Sequence, residues 1–408
     1  MKPLGPIPAG YGAIDGELAI GGHKASELVE QAGGTPLFVY SREHLRSRIA
    51  GLRAAMPERL GIHYAVKANP FAPLLGEMKG LVDGFDIASG GELAMVLATG
   101  IEARAISFAG PGKRDEELEQ AIAAGVTLNL ESENEARRAL AIADRLRVVP
   151  KLAIRVNPDF ELRGSGMKMG GGAKPFGLDA ARVPPLAREL IAAGAEWQGF
   201  HIFTGSQALD AQAIVETQAN VLDLAAQLSA EIGVPLPRLN MGGGFGIPYF
   251  HGDAPLDVAA IGAALRIRFE SLPQQLDKTE FCIELGRYLV GEAGVYLTRI
   301  VDRKESHGHI FLITDGGLHH QLAASGNFGT VVRRNYPAAL AGRFAEKAEE
   351  EVSVVGCLCT PLDRLADQAM LPRAEIGDLI AIFCAGAYGA SASPAAFLGQ
   401  GPARETLI

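Results

Sequence analysis

The stretch GIHYAVKANPFAP (61–73) sets an apolar run directly against a turn. Ile62, Tyr64 and Val66 alternate at strand spacing, and Ala-Asn-Pro breaks the run at once. A helical pattern over 42–56 precedes it, with Ser41 as its N-cap. The same strand-then-helix unit recurs along the chain. Further strands are predicted at 84–89, 105–110, 127–132, 151–157, 199–206, 238–244 and 281–288, beside the first at 62–68. Helical spacing falls between them, at 113–124 and 211–232, and Ser132 with Glu135 reads as a capping box. Strand and helix alternating in this way over about 250 residues predict an α/β fold of TIM (β/α)8 barrel type. A doubly wound open sheet is the competing architecture, and the count of eight strands favours the barrel.

After residue 290 the rhythm changes. GVYLTRIVDRKE, HIFLITDGG, EVSVVGCLCT and GDLIAIFCAGAYG are β-rich and predict a second domain, which the strand-like segments of the first forty residues could join.

Composition narrows the class. The 408 residues are 48% hydrophobic and 21% charged, enough for a sizeable core. The net charge of −9, with no long cationic run, argues against a nucleic-acid partner. No apolar segment reaches the roughly eighteen residues of a membrane span. The start, MKPLGPIPAGYGAIDG, has no apolar core of a signal peptide, so a cytoplasmic location is expected. The cysteines are 282, 357, 359 and 384; without CxxC or zinc spacing they read as reduced thiols, and no metal site is expected.

Barrel enzymes gather their functional groups where the strands end. Those ends carry Lys67, Asp86, Arg155, His201, Ser206, the Gly242–Gly244 turn, Glu284 and Arg287. Each has a bland reading alone: a solvent-reaching lysine, a tight glycine turn, a buried Glu–Arg pair. Together they suit one chemistry. A lysine can hold pyridoxal phosphate as a Schiff base, glycine N–H groups and an arginine can hold its phosphate, and a carboxylate can keep its ring nitrogen protonated. Tyr388, between glycines, would present a hydroxyl. Cys357 and Cys359 share a strand face, and His63, His319 and His320 read more simply as structural than as ligands.

YAVKANP (64–70), FDIASGGEL (85–93), HIFTGSQ (201–207), LNMGGGFG (239–246), ELGR (284–287), Cys359 with Asp363, and GAYG (386–389) stand in the order found in fold-type III pyridoxal-phosphate decarboxylases, and the chain resembles that family. Diaminopimelate and ornithine decarboxylases belong to it. SFAGPGK (107–113), RVNPDFELRGSGMKMGG (155–171), PFGLD (175–179), TDGGLHHQLAASGNFG (314–329), RRNYP (333–337) and CTPLD (359–363) look like the decarboxylases of exosortase A systems and the butirosin-type L-glutamyl-[acyl-carrier-protein] decarboxylase. The resemblance implies an alanine-racemase-like, cofactor-binding barrel over 39–288, and a Greek-key-like β barrel made from 1–38 and 289–408.

It also implies roles. Lys67 would carry the cofactor and Glu284 would meet its ring nitrogen. Ser206, Gly243, Gly244, Arg287 and Tyr388 would hold its phosphate, while Asp86, His201 and Phe203 would line the pocket. Cys359 would protonate Cα, arriving from the partner subunit of a homodimer. Arg155, Arg287, Asp363 and Tyr388 are candidates for the amino-acid substrate. Lys168 and Lys174 could meet an acidic carrier protein bearing that substrate.

Departures from the family point away from diaminopimelate. Phe203 stands where diaminopimelate decarboxylases place a ring-stacking histidine, and Leu285 replaces a proline. Cys359-Thr360-Pro361 lacks the distal-reading glutamate, and LHHQLAASGNFG (318–329) lacks the arginine for the distal carboxylate. Losing two such partners should cost a charged substrate several kcal/mol, on the order of magnitude of charge-assisted hydrogen bonds. The remaining alternatives are diaminopimelate decarboxylation itself, an amino-acid racemase, and a non-enzymatic pyridoxal-phosphate-binding protein.

Overall fold

The computed structural model describes residues 1–326 and 333–408. The stretch expected to differ at the distal subsite, 318–329, therefore runs partly outside the described residues, as does the side chain of Lys168. The chain forms two units. One comprises Ile49–Gly246 and Leu256–Gly286; the other comprises Met1–Arg48, Ile247–Pro255 and Arg287–Ile408.

The first unit is a closed parallel barrel. Its strands are β1 (Leu60–Ala65), β2 (Gly84–Ile87), β3 (Ile106–Phe108), β4 (Thr127–Leu130), β5 (Lys151–Asn157), β6 (Glu196–Ile202), β7 (Arg238–Asn240) and β8 (Glu280–Leu285). Each pairs with the next in parallel, and β8 closes on β1 through Phe281 to Leu285 against Leu60 to Tyr64. Closure decides for the barrel over the open sheet.

Most strands stop earlier than the sequence predicts. Lys67 lies in a 3-10 turn, Val66–Ala68, and the Gly242–Gly244 turn follows β7 instead of extending it. Local hydrogen bonds explain the first break. Asn69 N–H donates to Val66 O at 3.0 Å, Tyr64 Oη donates to Asn69 O at 2.8 Å, and Asn69 Oδ1 accepts from Phe71 N–H at 3.0 Å. The capping box at Ser132 is half formed. Ser132 Oγ accepts from Glu135 N–H at 3.1 Å, but the Glu135 carboxylate turns to Lys113 and to Glu131 N–H.

The second unit holds an eight-stranded mixed sheet. The long strand Gly294–Ser306 pairs antiparallel with Leu37–Tyr40, Leu379–Ile382 and His309–Thr314. Leu37–Tyr40 also takes Arg404–Leu407, the last strand, in parallel. A core of Leu18, Ile20, Leu28, Val39, Val295 and Phe383 lies against it. Strand Arg364–Leu371, which pairs with Glu350–Val355, carries no strict alternation and escaped the sequence reading. Among the described residues no helix is long and apolar enough to cross a membrane, and no group of three or more His, Cys, Asp or Glu is placed to hold a metal ion.

Candidate active site

The barrel interior is polar. Asn240 on β7 reaches Asp86 on β2, with Nδ2 3.4 Å from Oδ1, and His201 on β6 reaches Glu284 on β8, with Nε2 2.9 Å from Oε2. Neither pair of strands is adjacent in the sheet, so both contacts are made across the lumen. Asn240 Nδ2 also donates to Glu284 Oε2 at 3.2 Å, and His63 Nδ1 lies 3.3 Å from Asp86 Oδ2. Burial would raise the Glu284 carboxyl. The charge and hydrogen bond of His201, followed by Lys67 and Arg155, outweigh it and hold the group at about 2. Glu284 is thus an ionised carboxylate at the centre of the barrel.

Lys67 is exposed at the mouth, its Nζ 5.5 Å from the centroid of the buried Phe203 ring. The turn after β7 requires glycine. Gly244 has φ +88°, and a Cβ on Gly243 would lie 1.9 Å from Glu284 O. Beside it, Gly205–Ser206 pairs with Met167–Lys168 of the loop after β5. Ser206 Oγ and His201 Nδ1 are buried with no hydrogen-bond partner among the described residues. An electron-rich carboxylate, a lysine, a side-chain-free cradle and orphaned polar atoms are what a phosphorylated pyridine aldehyde needs. The residues present fit pyridoxal phosphate.

Arg155 is engaged within the protein. Its Nη1 is 2.8 Å from Glu131 Oε1, and its guanidinium lies 5.1 Å from the Phe176 ring centroid. Glu131 also accepts from Gly110 N–H at 2.6 Å and Gly177 N–H at 3.0 Å, so it ties down the end of the loop after β5. Lys113 Nζ lies behind, 2.6 Å from Glu135 Oε1. The Lys113–Glu135 and Arg155–Glu131 pairs were missed in the sequence because no spacing rule links residues 22 or 24 apart.

In the other unit, Arg287 Nη1 donates to Tyr249 Oη at 2.8 Å, and the guanidinium lies 4.8 Å from the Tyr388 ring centroid. Tyr249 was not anticipated; its only signal was its place after the glycine turn. Tyr388 has φ +60°, a left-handed conformation that its glycine-flanked loop accommodates. Cys359 is exposed. Asp363 binds backbone, accepting from Leu318 N–H at 2.7 Å and Leu358 N–H at 2.9 Å, and so fastens the Cys357–Cys359 turn. His320 bridges Tyr296 Oη and Gly401 O at 3.0 Å each, and burial with the charge of His319 holds it down to about 4.

A closed parallel barrel with a lysine at its mouth and an ionised carboxylate in its lumen defines a pyridoxal-phosphate enzyme of the alanine-racemase-like fold. The model of the pyridoxal binding domain of pyridoxal-dependent decarboxylases matches residues 42–291, and the chain belongs to that family. It is 34% identical over 372 residues to the L-glutamyl-[BtrI acyl-carrier protein] decarboxylase of Niallia circulans, covering 90% of this chain and 87% of that protein. It is also 34% identical to the diaminopimelate decarboxylase of Aquifex aeolicus, covering 92% and 87%. The structure of diaminopimelate decarboxylase from M. jannaschii superposes with a TM-score of 0.87 at 27% identity, covering 97% and 92%. The protein is a pyridoxal-phosphate-dependent amino-acid decarboxylase, which decides against the racemase and non-enzymatic alternatives.

Proposed function

We propose that this enzyme decarboxylates an amino acid other than diaminopimelate, and that the substrate is presented on a carrier protein. The observation that carries the site assignment is Glu284, buried yet held ionised in the lumen. Lys67 would hold the cofactor through Nζ, with Glu284 at its ring nitrogen and Phe203 on a ring face. Asp86 and His201 would line the pocket, and Ser206, Gly243, Gly244, Arg287 and Tyr388 would take the phosphate. When bound, pyridoxal phosphate supplies an electron sink for the pair released as the Cα–carboxylate bond breaks. Glu284 keeps that sink effective by favouring a proton on the ring nitrogen. Cys359 Sγ delivers a proton to Cα after CO2 leaves, and reaches the site from the partner subunit of a homodimer. Substrate contacts fall to Arg287 and Tyr388, with Arg155 and Asp363 acting through the groups they fasten.

Support for a carrier-linked substrate comes from the likeness to an acyl-carrier-protein decarboxylase and from the missing distal charge partners. Lys174, with Lys168, gives the loop after β5 a cationic character suited to an acidic carrier. A cytoplasmic location and a cofactor domain spanning 39–288 belong to the same reading. The test is release of carboxyl-labelled CO2 from free and carrier-linked amino acids. Turnover of a carrier-linked substrate well above its free form is expected. Efficient turnover of free meso-diaminopimelate would overturn the substrate assignment and leave the alternative of lysine biosynthesis.

A further inference from the structure

Arg287 opens the short helix Arg287–Val290, and its guanidinium lies against two tyrosine rings. Its Cζ is 5.4 Å from the Tyr249 centroid and 4.8 Å from that of Tyr388, and Nη1 donates to Tyr249 Oη at 2.8 Å. Among the described residues Arg287 meets no carboxylate. Other internal cations of this protein do. Arg155 Nη1 is 2.8 Å from Glu131 Oε1, and Lys113 Nζ is 2.6 Å from Glu135 Oε1.

A phenol is a different partner from a carboxylate. Burial, opposed by Arg287, holds the Tyr249 hydroxyl above its ordinary range, so it keeps its own proton. As a neutral acceptor it fixes one edge of the guanidinium without cancelling the charge. The ring faces attract the cation in the same charge-preserving way. The N–H groups that Tyr249 leaves unused retain their capacity to donate to an anion.

Tyr249 is itself held by contacts that do not involve its hydroxyl. Tyr249 and Phe250 N–H both donate to Asp253 Oδ2, at 3.1 and 3.0 Å, and Asp253 N–H donates to Phe250 O at 2.9 Å. The Tyr249 and Tyr336 rings lie 4.6 Å apart, centroid to centroid. The chain also closes tightly on this turn at Gly5, where a Cβ would fall 2.0 Å from Tyr249 O. The turn and the packing therefore place the ring, and the ring places the hydroxyl. Phenylalanine at 249 would keep these contacts and lose the acceptor.

We propose that Tyr249 is a positioning residue whose hydroxyl and ring orient the Arg287 guanidinium, with its charge intact, toward the phosphate of the cofactor. The inference rests on the assignment of Arg287 to that phosphate and adds to it the group that sets the direction of the fork. A planar guanidinium gives two parallel hydrogen bonds to a phosphate only when its plane is fixed. A carboxylate would fix the plane at the cost of neutralising the cation, as Glu131 does for Arg155. A phenol fixes it and leaves the positive charge for the anion.

The test measures, by equilibrium dialysis, how the full chain stripped of cofactor binds pyridoxal phosphate and pyridoxal, which lacks the phosphate. Tyr249→Phe should weaken binding of pyridoxal phosphate about tenfold or more and that of pyridoxal by less than about twofold. Pyridoxal needs the folded pocket, so its retained binding shows that the variant folds. Equal weakening of both ligands would make Tyr249 a general support of the pocket and overturn the proposal. So would an unchanged affinity for pyridoxal phosphate. Arg287→Gln, measured alongside, separates the two claims. A phosphate-selective loss in Arg287→Gln without one in Tyr249→Phe would overturn the positioning role alone. No selective loss in Arg287→Gln would overturn the phosphate assignment beneath it.

Discussion

Glu284 sits where three neighbours converge, and its replacement separates charge from shape. Glu284→Gln keeps the contact with Asn240 but loses the carboxylate that favours a ring-nitrogen proton. We expect kcat/KM to fall by about a hundredfold or more, within the span assigned to a positioned proton-handling group. The absorption band of the bound cofactor should shift as well, and a spectrum and rate like wild type would refute the role. Lys67→Ala should abolish the cofactor band that remains after dialysis, and a dialysed variant that keeps it would exclude Lys67 as the attachment point. The same carboxylate predicts a pH effect. Its folded value, about 2, lies below its ordinary 4.5, so the unfolded chain binds the extra proton first as pH falls. The stabilisation is therefore complete above about 4.5 and lost between there and about 2. Acid titration of unfolding should show a shallower slope in Glu284→Gln over that window. The residue types of this site were legible because Lys67, the glycine turn and Glu284 each end a strand of recognisable pattern. The Arg287–Tyr249 contact was not, since a tyrosine hydroxyl has no periodic signature.

Among the elements, the connections do more than the strands. Lys113 opens the path into the helix Asp115–Ala124, while Glu135 lies in the first turn of the helix Glu133–Leu146. Their buried pair, joined by the Gly110 and Asn129 carbonyls on Lys113 Nζ at 2.8 and 2.9 Å, locks β3 and β4 to the helices that follow. Lys113→Ala leaves a buried carboxylate without its cation and should destabilise the fold by roughly 3–5 kcal/mol in chemical denaturation. A change under 1 kcal/mol would show the pair to be dispensable. Gly243→Ala places a methyl group on the Glu284 carbonyl, so the turn must move. Weaker cofactor binding, read by equilibrium dialysis, is the expected result. The barrel strands were readable from periodicity, whereas their ends were not. The sequence extends β7 through the glycines, but in the fold the backbone turns as soon as Asn240 Oδ1 accepts from Gly242 N–H at 2.9 Å.

On the scale of the whole molecule, the eight strands were legible, and their closure and part of the lumen's polar lining were not. Hydrophobic alternation predicts eight strands, and His201 and Glu284 were read at their ends, yet the lumen also carries Ser107, Asn129 and Asn240, all buried. A sequence pattern reports which faces are apolar, and these strands are covered on their outer faces by helices, so the polar inner positions read only as interruptions. The strand Leu37–Tyr40 was expected to join the second unit, and it pairs there with both Gly294–Ser306 and Arg404–Leu407. Deleting residues 404–408 should therefore lower the melting temperature by exposing an edge of that strand, as thermal unfolding would show.

The buried Ser206 hydroxyl and His201 Nδ1, which have no hydrogen-bond partner among the described residues, have a consequence for the life of the protein in a cell. Each buried polar group without a partner costs about 1–3 kcal/mol, so the cofactor-free chain is the weaker fold. A ligand at a hundred times its Kd adds about 2.7 kcal/mol, and pyridoxal phosphate should therefore raise the unfolding temperature in a dose-dependent way. Proteases sample the unfolded fraction, so newly made chains that find no cofactor are cleared faster than those that do. The polar lumen thus makes the steady-state amount of enzyme follow the supply of its vitamin.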